Sequence, residues 1–132
     1  MKAIAANIYG GMHPGSILKV DDNSGAKMLR MISKVKYRGR RGRLADIGVG
    51  DIFSASVIQG KVDMRKKIVR AVVIRQRKEY HRFTGETIAF EDNACVLIND
   101  KNEPQASEIK GVVAKEVAER FPKIATIAKN VV

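Results

Sequence analysis

The side chains best placed to do chemistry in this sequence are cations. From Arg30 to Arg43 there are seven Lys and Arg and no acid; from Lys61 to Arg82 there are nine, opposed only by Asp63 and Glu79. These two stretches hold 16 of the 25 basic residues. The chemistry they suit is phosphate binding, because an Arg fork meets two phosphate oxygens at once and each neutralised phosphate releases counterions. Gly39 and Gly42 let the backbone between the arginines approach an irregular surface closely. Arg40, Arg41 and Arg43 repel one another without a polyanion, so this tip is expected to order on binding. The phosphate-contacting candidates are Lys27, Arg30, Lys34, Lys36, Arg38, Arg40, Arg41, Arg43, Lys61, Arg65, Lys66, Lys67, Arg75, Arg77, Lys78 and Arg82. The bland alternative is a solvated charged surface that confers solubility.

Catalytic chemistry finds little support. His13 and His81 are isolated, so a metal cluster would need ligands from distant parts of the chain. Asp21-Asp22-Asn23-Ser24-Gly25 lacks the alternating acids and closing Glu of a calcium loop and reads as a turn. Gly39-Arg40-Arg41-Gly42-Arg43 lacks the Lys-Ser/Thr ending of a nucleotide-binding loop. Cys95 sits in the apolar run Ala94–Ile98, where a small buried hydrophobe is expected rather than a nucleophile. The expectation is a protein that is not an enzyme and uses no cofactor or metal.

The aromatic residues bear on the kind of polyanion. Tyr9, Tyr37, Tyr80, Phe53, Phe83, Phe90 and Phe121 make up 5% of the chain, with no Trp. A single-strand binder usually interleaves stacking platforms with its cations. Here only Tyr37 and the Tyr80–Phe83 pair lie beside basic residues, so folded RNA recognised through backbone and shape fits better. A free-standing barrel that binds single-stranded nucleic acid is the competing reading.

The totals agree. Among 132 residues, 45% are hydrophobic and 30% charged, a globular composition of single-domain size, with a net charge of +11. The charge is polarised: residues 1–82 hold 19 bases and 6 acids, residues 83–132 hold 6 and 8. One cationic face and one nearly neutral region are expected. A single cysteine excludes an intramolecular disulfide, and no apolar stretch approaches the ~20 residues that span a bilayer; a cytoplasmic, non-membrane protein is expected.

Elements must position these cations. Gly15–Val20, Lys27–Arg38, Asp51–Gln59, Ile68–Ile74, Glu86–Phe90 and Ala94–Asn99 read as strands separated by turn residues. In the second, Leu29, Met31, Val35 and Tyr37 alternate with Arg30, Lys34, Lys36 and Arg38. Residues 38–50 read as an exposed basic hairpin tip. After Pro104 the four-residue spacing of Val113, Val117 and Phe121 predicts a helix ended by Pro122, and Ile124, Ile127 and Ala128 a second short turn. The fold expected is mainly β: a small closed five-stranded barrel over 1–103 with a basic hairpin loop, and a short helical C-terminal part, 104–132, packed on it as a single domain.

Ala71-Val72-Val73-Ile74, then Thr84-Gly85, Phe90, Asn93 and Val96-Leu97, together with Asp22-Asn23-Ser24-Gly25-Ala26-Lys27 and the basic tip, resemble the universal large-subunit ribosomal protein fourteen family in its archaeal and eukaryotic branch. Thr84 stands where Asp, Asn or Ser is usual before the glycine, and Glu108 stands where the family has an arginine, so no RNA contact is carried over to Glu108. The resemblance spans nearly the whole chain.

It implies a structural protein of the large ribosomal subunit that binds large-subunit rRNA and helps build bridges to small-subunit rRNA. Implied neighbours are large-subunit protein three, the eukaryotic-type protein twenty-four and a factor that prevents premature subunit joining. The near-neutral C-terminal third, with Val113, Val117, Arg120 and Phe121, is the expected protein-contact surface. On that view, replacing Glu116 and Glu119 by Lys should alter protein neighbours and spare rRNA binding.

Overall fold

Alternating apolar residues, interrupted by turns, dictate most of the architecture. The computed structural model describes residues 2–40 and 44–132, so Arg41 and Arg43 lie outside the described residues. The elements run β1 (Ala6–Asn7), β2 (Ile17–Val20), β3 (Ala26–Lys34), β4 (Ile52–Gly60), β5 (Ile68–Arg75), β6 (Tyr80–Arg82), β7 (Thr87–Ile88), β8 (Ala94–Ile98), β9 (Ile109–Val113), α1 (Lys115–Arg120), α2 (Pro122–Ile127) and β10 (Ala128–Val131).

Strands β2, β3, β4, β5 and β8 form a closed barrel, as the sequence predicts. Four of its five pairings are antiparallel; β8 and β2 close it in parallel, with Lys19 opposite Ala94 and Val20 opposite Cys95. Closure removes edges that would otherwise recruit other chains. Leu29, Met31, Phe53, Ala55 and Val57 fill the inside. All five residues of β8 are buried, because the C-terminal segment belongs to the same apolar cluster and covers the barrel wall. Lys110 N–H donates to Asp21 O at 2.7 Å and Ala114 N–H to Ile74 O at 3.0 Å.

Two further sheets flank the barrel: β1-β6-β7, and β9 paired in parallel with β10. The helices are six residues each and have no side-chain N-caps, so packing rather than propensity holds them. Pro122 opens α2 immediately after the Phe121 junction.

The structure corrects the sequence reading in four places. Strand β3 ends at Lys34 rather than Arg38, since Lys36 takes a left-handed φ of 63° and Tyr37 turns outward. An irregularity between Met28 and Leu29 shifts the alternation, so that Lys27 and Arg30 are both exposed. The second half of the expected tip is only partly exposed: Leu44 and Asp46 face solvent, but Ala45, Ile47 and Val49 are buried, and Ile47 bridges to Met12. Finally, 104–132 is not helical throughout, because Val113 ends strand β9 and the chain finishes on strand β10.

Candidate nucleic-acid interface

The β3–β4 pair sets where the cations stand. Ala26 lies opposite Gly60 and Lys34 opposite Phe53, so the two basic stretches leave from opposite ends of one strand pair. Seven residue steps at ~3.4 Å separate Lys27 from Lys34 by roughly 24 Å. Gly60 has a left-handed φ of 152°, and a Cβ there would stand 2.7 Å from Gly25 O; the close approach of the two strands needs glycine.

At one end Lys61, Arg65, Lys66 and Lys67 join Lys27, all exposed. Lys110 of β9, which sequence reasoning did not select, shares a recess with Lys27 and Lys61. At the other end stand Lys34, Lys36, Arg38 and Arg40, of which only Lys34 is half-buried; its Nζ lies 3.2 Å from Asp51. Arg30 is exposed midway, opposite Ile17 and Ser56. Arg77 and Lys78 are exposed beyond β5. Lys78 pairs with Glu79 at 2.6 Å and holds that carboxyl below its ordinary range.

Two predicted phosphate ligands face inward instead. Arg75 is 7% exposed. Its Nε donates to Asp92 Oδ1 at 2.6 Å, its Nη1 to Val112 O at 2.9 Å, and its Nη2 to Asp21. Burial opposes the charge, but the hydrogen bonds to Asp92 and Asp21 outweigh it and hold the guanidinium above its ordinary pKa. Arg82 Nε donates to Glu116 Oε1 at 2.6 Å and its Nη2 to Val132 O at 2.8 Å. Tyr80 Oη donates to the same carboxylate at 2.8 Å, and burial followed by that bond pushes the phenol far above its usual range. Arg75 ties the C-terminal segment to the barrel and Arg82 ties it to the flanking strand β6, and neither presents a free fork to solvent.

Arg70, left out of the candidate set, stands opposite Ser54 near Lys34. The one signal in the sequence was its interruption of an apolar strand. It lines a cavity of about 230 Å³ together with Lys34, Lys36 and Arg120.

Residues 11–132 match the family model described as ribosomal protein L14p/L23e. The chain is similar to the large ribosomal subunit protein uL14 of Methanocella arvoryzae, 53% identical over 132 residues and covering all of both chains. It is 46% identical to that of Methanoregula boonei and 44% to that of Halobacterium salinarum, again over the full length of both. The chain belongs to the ribosomal protein L14p/L23e family.

In this L14p/L23e chain the residues expected to meet other proteins are mostly core. Val113 and Val117 are fully buried and Phe121 is 4% exposed. Four-residue spacing marked an apolar face correctly, but the barrel itself covers that face. Arg120 is only half-buried. Glu116, expected at the surface, is buried against Tyr80 and Arg82. Cys95 is buried, and burial raises its thiol pKa well above the ordinary value, which suits a packing role. Among the described residues no group of three His, Cys, Asp or Glu is arranged to hold a metal, and no helix is long and apolar enough to cross a membrane.

Proposed function

We propose that this chain is a structural component of the large ribosomal subunit, held on large-subunit rRNA by the exposed cations at both ends of the β3–β4 pair. Full-length similarity to large-subunit proteins carries the reading. The barrel supports it physically: among the described residues Lys27, Arg30, Lys36, Arg38, Arg40, Lys61, Lys66, Lys67 and Arg77 are exposed and have no carboxylate partner, leaving their charge for phosphates. Cations roughly 24 Å apart along β3 reach separate backbone segments of a folded RNA, which an extended single strand does not require.

The same reading gives the protein a part in bridges to small-subunit rRNA. Its protein neighbours are large-subunit protein three, the eukaryotic-type protein twenty-four and a factor that blocks subunit joining. With Val113, Val117 and Phe121 withdrawn into the core, those neighbours meet the exposed Lys115, Glu119, Lys123 and the β10 edge instead.

Tagged full-length protein sedimented from cell lysate tests this. Co-migration with large subunits at low magnesium and with joined ribosomes at high magnesium is expected. Migration as free protein at both, or equal affinity for folded rRNA and unstructured oligonucleotides, refutes it.

A further inference from the structure

The cavity beside α1 has the wrong charge balance to be a packing defect. Lys34, Lys36, Arg70 and Arg120 bring four cations to its wall and Asp51 one carboxylate. Asp51 is already engaged: its Oδ2 accepts from Gly48 N–H at 2.9 Å and lies 3.2 Å from Lys34 Nζ. Arg70 has only marginal partners, Asn102 Oδ1 at 3.4 Å and Asp100 at 3.7 Å, the latter fully in solvent.

Two atoms decide the reading. The Nε of Arg70 and the Nε of Arg120 are both buried, and among the described residues neither has a hydrogen-bond acceptor. A buried donor left unpaired is costly, and here two belong to permanently charged groups on different elements that line one opening. At about 230 Å³ the space far exceeds one water, whose share of liquid volume is about 30 Å³. Water could pair with the donors, but it leaves the excess positive charge uncompensated.

We infer that this cavity is a built anion site that takes one tetrahedral oxyanion, a phosphate of an RNA backbone, between the guanidinium groups of Arg70 and Arg120. The inference rests on the proposed rRNA binding and adds a specific seat to it. Lys34 and Lys36 supply charge from the loop side, and the guanidinium groups of Arg70 and Arg120 supply the directed donors. Lys36 and Asn102 both hold left-handed backbone conformations, with φ of 63° and 62°, to shape the rim.

The test uses the full-length protein and two probes. With inorganic phosphate, the side-chain Nε–H resonances of Arg70 and Arg120 should shift together and saturate, while that of exposed Arg30 moves little. No shift, or one shared by all arginines, overturns the proposal. With a folded large-subunit rRNA fragment, Arg70→Gln and Arg120→Gln should each lower affinity by roughly tenfold or more, the weight of one hydrogen bond to a charged group. Both variants are first checked by thermal melting; the phosphate titration of the unaltered protein decides the matter if either fails to fold. If the unaltered protein ignores the rRNA, the functional reading fails. If it binds and both folded variants bind equally well, the seat alone is wrong.

Discussion

Arg75, at the end of β5, donates through Nη2 to Asp21, the residue just after β2. Through Nε it also holds Asp92, and a Cβ on Gly111 would overlap both the guanidinium and the Asp21 carboxylate. The barrel, the turn before β8 and strand β9 therefore meet at one guanidinium. A cation that looks like a phosphate ligand in the sequence is an internal tie.

Replacing Arg75 by Met should destabilise the protein by about 3 kcal/mol, because buried Asp21 is left with only Lys19 Nζ, at 3.4 Å, as a cationic partner. Urea unfolding measures this. At temperatures where the variant remains folded, the salt dependence of its rRNA binding should match that of the parent; a flatter dependence would mean that Arg75 reaches phosphate after all.

Acid should loosen the same junction. The hydrogen bond from Arg75 holds Asp92 below its ordinary value of 3.8. The stabilisation is fully present above that value and is lost as pH falls through the lower, folded-state value. Stability followed by far-ultraviolet circular dichroism should therefore fall below about pH 4, and Asp92→Asn should flatten the fall.

Phe121→Ala should cost about 3–5 kcal/mol, as for a large side chain removed from a core. Calorimetry would show a lower Tm. If the melting temperature is unchanged, the side chain is a surface group and the contact role first expected for it revives.

Glu116 and Glu119 should part company. Glu116→Lys places a second cation against Arg82 in a buried site and should prevent or severely weaken folding. Glu119 is exposed, so Glu119→Lys should fold normally and alter only protein neighbours, read by cross-linking within purified large subunits. Loss of rRNA binding by a folded Glu119→Lys variant would contradict that division.

Changing Arg40, Arg41 and Arg43 together to Ala should flatten the log–log salt slope of rRNA binding by roughly 2 to 3 units, at about 0.7–0.9 per phosphate contact. An unchanged slope would mean that the tip points away from RNA.

The barrel was legible because its strands combine apolar runs with turn residues at their ends; Ile68–Arg75 and Ala94–Ile98 were bounded within a residue. The fate of individual charges was not. Arg75 finds Asp21 across 54 residues of chain and Arg82 finds Glu116 across 34, and no local pattern marks such partners. Strand β9 was missed because Val113 fits the helical spacing of Val117 and Phe121, and β10 because Ala128, its first residue, fits a helical turn with Ile124 and Ile127. Arg30 was correctly placed on the outside by the alternation of β3, whereas Lys27, which strict alternation would turn inward with Leu29 and Met31, is exposed through the irregularity at Met28.

The parallel seam between Lys19–Val20 and Ala94–Cys95 governs how the molecule comes into being. During synthesis β2 is made well before its second neighbour, which follows only after β3, β4 and β5. Until then a nascent sheet of four strands carries two bare borders, and the last pairing is a non-local, intrinsically slow event. Without Ala94–Ile98 the sheet would keep both borders open, so the seam makes the arrival of β8 the event that closes the barrel.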